Sequence, residues 1–277
     1  MQASPEWVPP TGTLGRILEE TRRRIPSLEM TSPWGSGSGE VAIDAPAPPP
    51  SLKQALVCET VAVIAELKRR SPSKGSLNED MDPRALAEAF ERGGAAAISV
   101  VTEPSFFGGS LQDMTAARRA VHLPILKKDF HIHRSQLVEA RIKKASAVLL
   151  IARALSPREL PELVRRARSL QLEAVVEVRS EAELERALEA GAEIVGVNSR
   201  NLETLEVDDN VPRRLIPRIP SGIVAIWESG MESVNDVRRA ADAGADAVLV
   251  GSVLSGSNDP ESLVRSLTNV RRQSRRG

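Results

Sequence analysis

From Val61 onward, short apolar runs alternate with charged amphipathic segments. The runs are Val61–Leu67, Ala96–Val101, Pro124–Lys127, Ala147–Ile151, Glu173–Val178, Glu193–Val197, Gly222–Trp227 and Ala245–Val250. Each is too short for a buried helix and rich in β-branched residues, which predicts a strand. The segments between them, such as Pro83–Arg92, Pro157–Ser169 and Glu181–Glu189, carry helical spacing. Eight strand-then-helix units follow, at roughly 26 residues each, the length that a strand, a helix and two short loops require. Similar helix endings recur before the even-numbered strands: Arg92-Gly-Gly-Ala-Ala, Lys143-Lys-Ala-Ser-Ala, Glu189-Ala-Gly-Ala-Glu and Asp242-Ala-Gly-Ala-Asp. Glycine there would provide the left-handed residue that ends a helix, and Ala would let the chain turn tightly into the next strand. Eight parallel strands can close into a barrel or stay open as a doubly wound sheet. No G-x-G-x-x-G follows the first run, and the count of eight favours an α/β fold of the (β/α)₈ TIM-barrel type.

Before the first run the pattern changes. Leu14, Ile17, Leu18 and Ile25 fall on one side of a short predicted helix whose other faces are charged. Such a helix would pack on the main body. Ser36–Gly39 and the prolines Pro46, Pro48, Pro49 and Pro50 have connector composition. The expected division is an N-terminal extension over residues 1–50 and a catalytic barrel over 51–277. The basic end Arg271–Arg276 reads as a frayed tail.

Composition narrows the class. Basic and acidic side chains balance at 37 each, so no global field draws the chain to nucleic acid or to a membrane surface. Cys58 is the only cysteine, which excludes an internal disulfide or a cysteine zinc cluster and makes the cytoplasm the expected compartment. No run approaches the ~20 apolar residues of a membrane span. With 3 % aromatic residues and no Tyr, the core must be Val, Ile, Leu and Ala. His131 and His133 lack a third ligand set by a motif, so neither a metal nor any other cofactor is expected.

Chemistry in such a barrel sits at the carboxyl ends of the strands. There this chain repeatedly places polar residues: Glu66 and Lys68 after the first run, Lys128 after the third, Glu177 on the fifth, Asn198 and Arg200 after the sixth, Glu228 after the seventh. By the strand period of two, Glu66 and Lys68 share a face with Ile64, and Trp227 points outward if Glu228 points in. Glu228-Ser229-Gly230 and Gly251-Ser252 bring small residues with free backbone N–H groups to the last two loops, where barrels often bind phosphate. Ser71-Pro-Ser-Lys-Gly75 is a third small-residue loop.

Taken in order, Ala-Glu66-Leu-Lys68-Arg-Arg-Ser71-Pro-Ser, Thr-Glu-Pro-Ser-Phe-Phe107-Gly-Gly-Ser, Leu-Lys-Lys128-Asp-Phe130, Val-Val-Glu177-Val, Gly-Val-Asn198-Ser-Arg200, Glu228-Ser229-Gly230 and Val-Gly251-Ser252 resemble the indole-3-glycerol-phosphate synthase family. The resemblance covers about Leu52–Leu267. It implies ring closure of 1-(2-carboxyphenylamino)-1-deoxyribulose 5-phosphate with loss of CO₂ and water, in tryptophan biosynthesis. It also implies that Lys128 is the general acid and Glu177 the acid/base of dehydration. Lys68 and Arg200 would bind anionic groups, Glu66 and Glu228 would hold the lysines and substrate hydroxyls, and Asn198 would orient the ring. Phe107, Phe130 and Leu149 would form an apolar slot, with Ser71, Ser229, Gly230, Gly251 and Ser252 as further substrate contacts. In the family a helical extension helps cover the barrel mouth, here the Leu14–Ile25 segment and the residues before Val61. The partner is a small phosphorylated substrate, with no nucleic acid or membrane, and the chain is expected to act as a monomer. The alternatives are a phosphoribosylanthranilate-isomerase-like barrel, which has no need of paired lysines facing a glutamate, and a non-catalytic barrel used as a binding module.

Overall fold

The computed structural model describes residues 7–31 and 48–275. Eight parallel strands form a closed barrel: β1 (Ala62–Leu67), β2 (Ala97–Val101), β3 (Ile125–Lys128), β4 (Ala147–Ile151), β5 (Glu173–Val178), β6 (Ile194–Asn198), β7 (Val224–Glu228) and β8 (Ala247–Val250). Closure is made by β1, where Ile64 pairs with Ala97 of β2 and with Leu249 of β8. The architecture is the (β/α)₈ barrel that the eight apolar runs predict. Several strands start a residue or two later than the runs suggest, because residues such as Ala245 still bond back to the preceding helix turn. Three also run on by one residue, to Lys128, Asn198 and Glu228, so these polar side chains stand on rigid strand ends.

The period of two separates two cores. Inward residues such as Ala62, Ile64, Leu126, Leu149, Ile194 and Ile226 fill the barrel. Outward residues such as Val63, Ala65, Val148, Val195 and Trp227 pack under the helices. Trp227 thus points outward as expected, and its indole N–H donates to Ser199 Oγ at 2.8 Å. The helices begin where capping residues stop the loops. Asp82 accepts from Arg84 N and Ala85 N ahead of α3 (Pro83–Gly93), and Ser180 from Glu183 N ahead of α8 (Glu181–Glu189). The recurring helix endings are left-handed turns: Gly94, Gly191 and Gly244 have φ of 93, 81 and 86°, and exposed Lys144 takes the same place at 59°.

The N-terminal segment closes both ends of the barrel. Helix α1 (Gly12–Thr31) lies over the strand carboxyl ends, and is longer than the Leu14–Ile25 stretch because it continues through Pro26. Leu14, Ile17 and Leu18 are buried against the inner core, while Ile25 is only half-buried. Thr13 N donates to Glu203 O, and Arg24 approaches Glu103 and Asp129 at 3.7 and 3.8 Å. The residues just before Val61 do not join this cover. Helix α2 (Leu52–Leu56) plugs the opposite end, with Leu52 and Leu56 fully buried. It is fixed there by Glu173, the first residue of β5, whose carboxylate accepts from Ser51 Oγ, Leu52 N and Lys53 N at 2.6, 2.6 and 3.0 Å. The Ser36–Gly39 connector and residues 45–47 of the proline-rich stretch lie outside the described residues.

The basic C-terminus is not frayed up to Arg275. Arg272 and Arg275 reach the buried carboxylate of Asp246 at 2.6 and 2.7 Å, and Arg275 also donates to Gly244 O and Ile223 O. Sequence could not show this, because the acid that receives the tail lies at the base of β8. Truncation after Val270 leaves Asp246 buried without its cations, and should lower unfolding free energy by ~3 kcal/mol. A urea midpoint equal to that of the full chain would return the tail to a solvated role.

Candidate active site

A cavity of about 430 Å³ occupies the mouth of the barrel under α1. All of the expected residues line it: Glu66, Lys68, Ser71, Phe107, Lys128, Phe130, Leu149, Glu177, Asn198, Arg200, Glu228, Ser229, Gly230, Gly251 and Ser252. Glu66, Lys128, Leu149, Glu177, Asn198 and Glu228 meet because each takes an inward position on its strand, and the others come from the loops that follow those strands, so one ring of strand ends aims at one volume.

Lys128 is the hub. Its Nζ lies 3.3 Å from Glu228 Oε2 and 3.9 Å from Glu177 Oε2. Lys68 Nζ donates to Glu66 Oε1 at 2.7 Å, and Ser99 Oγ donates to Glu66 Oε2 at 3.3 Å. Burial alone would strip the proton from Lys128, but Glu228, Glu66 and Glu177 outweigh it and raise its pKa, so the ammonium persists. Burial would also raise Glu66, yet Lys68, Lys128 and the two hydrogen bonds hold its pKa below the ordinary value. The other two acids go the opposite way. Burial, partly offset by Lys128 and reinforced by Glu177, pushes Glu228 up to about 8. Glu177 is raised by burial against Lys128 and hydrogen bonds from Asn198 and Glu228. Two lysines and three acids therefore approach neutrality by retaining one proton within the Glu177–Glu228 pair.

The remaining walls divide by character. Phe107 and Phe130 face each other with ring centroids 6.0 Å apart and planes 37° tilted, beside buried Leu149. Across the cavity, Ser229 and Gly230 take φ of 67 and 76°, exposing successive backbone amides next to the Gly251–Ser252 turn. Trp227 supports this loop from outside, since Ser199, which receives its indole N–H, contacts Ser229 O at 3.5 Å. Arg200 is partly ordered by its own loop, donating to Leu205 O at 2.8 Å.

Two inward glycines make room for the acids. A Cβ at Gly196 on β6 would fall on the Glu228 carboxylate, and one at Gly251 on that of Glu66. Gly196 was not singled out by sequence reasoning. Its signal was a glycine at an inward strand position between Ile194 and Asn198. Also unanticipated were Asp129, which accepts from Thr102 Oγ1 at 2.8 Å, and Thr13 and Ile17, which α1 brings to the cavity roof. His131 is buried, with Nδ1 2.8 Å from Leu149 O, and is held neutral with a pKa near 3 by burial and Lys127. His133 caps α6 (Arg134–Ile142). Among the described residues no group of three or more His, Cys, Asp or Glu could hold a metal ion, and no helix is long and apolar enough to cross a membrane.

Among solved structures, thiamine phosphate pyrophosphorylase from Pyrococcus furiosus has the same fold, with a TM-score of 0.56 at 17 % identity over 78 % of this chain and 96 % of that one. Indole-3-glycerol phosphate synthase of Rhodococcus jostii is 46 % identical over 259 residues, 93 % of this chain and 95 % of the relative. The enzyme of that name from Kineococcus radiotolerans is 53 % identical over 207 residues, 75 % of this chain and 76 % of the relative. The profile of the indole-3-glycerol phosphate synthase family matches residues 14–267. Held to that profile from the roof helix to the last helix of the barrel, the chain belongs to the indole-3-glycerol phosphate synthase family.

Proposed function

We propose that the protein closes the indole ring of 1-(2-carboxyphenylamino)-1-deoxyribulose 5-phosphate, releasing CO₂ and water, as the carboxy-lyase of tryptophan biosynthesis that its family membership implies. The observation that supports the chemistry most directly is one persistent ammonium, Lys128, facing two acids that hold a proton. In the first step the carboxyl-bearing aromatic carbon attacks the ketone. Lys128 protonates the ketone oxygen, and the C–CO₂ bond then breaks to restore the ring. In the second step the new hydroxyl leaves as water with another proton, while Glu177 removes a proton from the neighbouring carbon to form the indole double bond. Lys68 and Arg200 serve as cations for the substrate's anionic groups, the Gly230 and Gly251 loops donate to its phosphate, and the Phe107, Phe130 and Leu149 slot takes the aromatic ring. Glu66 and Glu228 hold the lysines, and Asn198 orients Glu177 and the ring. The exposed free thiol of Cys58 suits the reducing cytoplasm.

Indole fluorescence on mixing the protein with this substrate is the direct test. Lys128→Met should lower kcat by at least ~10² with the fold retained by circular dichroism, because a positioned acid typically contributes that much. Glu177→Gln should do the same, and a rate within tenfold of the parent for either variant would move the role elsewhere. Gly196→Ala should lower kcat ~10-fold or more by driving Glu228 off Lys128, at a stability cost of only ~1–3 kcal/mol.

The raised pKa of Glu228 also predicts a pH signature. The unfolded chain releases this proton near the ordinary value of 4.5, whereas the folded chain keeps it to about 8. Stability from this group is full at low pH and lost as pH rises through that window. Glu228→Gln does not titrate, so its Tm relative to the parent should climb between pH 5 and 8 and then level off. A difference that stays constant over that range would mean that Glu228 is ionised throughout.

A further inference from the structure

Glu177 lines two cavities. Besides the barrel mouth it borders a second space of about 130 Å³ beyond the ends of β4, β5 and β6, walled mainly by Arg153, Arg179, Ser180, Glu183, Asn201 and Glu203. Ile151, Arg200 and Leu202 border both spaces as well, so Glu177 belongs to the partition between them. At ~30 Å³ per water, with polar walls on several sides, the smaller space has room for a few hydrogen-bonded waters.

The proposed reaction needs such a route. The substrate enters as a carboxylate and its carbon leaves as neutral CO₂, so each turnover consumes one proton from solvent. Lys128 gives two protons, one to the ketone oxygen and one to the departing hydroxyl, and Glu177 receives one from carbon. Because Lys128 must be recharged before the hydroxyl leaves, a proton is needed while the intermediate fills the mouth beneath Thr13 and Ile17.

We propose that the second cavity is the proton entry path: Glu183 passes one proton from solvent through water to Glu177, which hands it to Lys128, 3.9 Å away, between the two steps, and after dehydration Glu177 hands Lys128 the proton it took from carbon, so that both groups return to their starting states. This rests on the reading of Glu177 as the acid/base. Glu183 sits on the first turn of α8, where its Oε2 accepts from Arg179 N at 2.7 Å. Burial raises its pKa against that hydrogen bond, a hydrogen bond with Ser180 and the charges of Arg153 and Arg186, which favours a carboxyl that can carry a proton. Its charge in turn raises Glu177, whose other neighbours are Lys128, Asn198 and Glu228. Capping α8 needs only an acceptor oxygen, and glutamine supplies one. Glu183→Gln therefore separates the cap from the proton path.

The experiment measures steady-state indole formation by Glu183→Gln at fixed pH and ionic strength over a range of small-buffer concentrations, with a pH indicator recording proton uptake. At low buffer kcat should fall ~10-fold with KM within about twofold, and should recover as buffer acid replaces the carboxyl. In a single turnover at low buffer with enzyme in excess, proton uptake should slow together with indole formation in the variant. Parental kcat at low buffer overturns the proposal. So does a loss that buffer fails to restore, which would leave Glu183 as a cap alone. Retained activity in Glu177→Gln would instead overturn the underlying acid/base assignment, a separate result.

Discussion

The mouth of this barrel depends on Lys128 keeping its proton among three buried carboxyl groups. An isolated ammonium in an apolar barrel would lose its proton, and three isolated carboxylates would each take one up. Together they settle on a compromise in which the lysine stays charged, Glu66 ionises against Lys68, and the Glu177–Glu228 pair retains a proton. Donor and acceptor are thereby present together at neutral pH, which is the condition for a reaction that both gives and takes protons. The small residues at Gly196 and Gly251 belong to the same compromise, because they let two carboxyl groups approach the axis of the barrel.

That arrangement requires the interior to be dry below and covered above. The lower seal is α2, whose two leucines fill the end of the inner core while Glu173 anchors the helix start. The C-terminal arginines tie down the base of β8 through Asp246. The upper cover is α1, joined to the rim by Thr13, Arg24 and its buried leucines. Residues far apart in sequence thus act on one volume, since a lower dielectric in the mouth strengthens every charge interaction there.

Much was legible from the chain alone, because two of its periods are local. The period of two told which strand residues face inward, and the recurring helix endings marked the turns. These rules place eight strands, direct Trp227 outward and aim Glu66, Lys128, Glu177, Asn198 and Glu228 at a common rim. The polar strand ends were visible for the same reason: a charge at the end of an apolar run violates the pattern around it.

The tertiary structure alone decided which distant residues meet. Sequence put the segment before Val61 with the cover of the mouth, yet Leu52 and Leu56 plug the opposite end, because Glu173 at the base of β5 offers the acceptor for that helix start. It left Arg271–Arg276 frayed, yet Asp246 binds Arg272 and Arg275 from positions 26 and 29 residues away in the chain. The second cavity behind Glu177 has no sequence signal, being the gap left by three loops. Local periodicity is fixed by backbone geometry and is carried by each segment, whereas charge pairing, burial and cavities depend on distances that exist only after the barrel has closed.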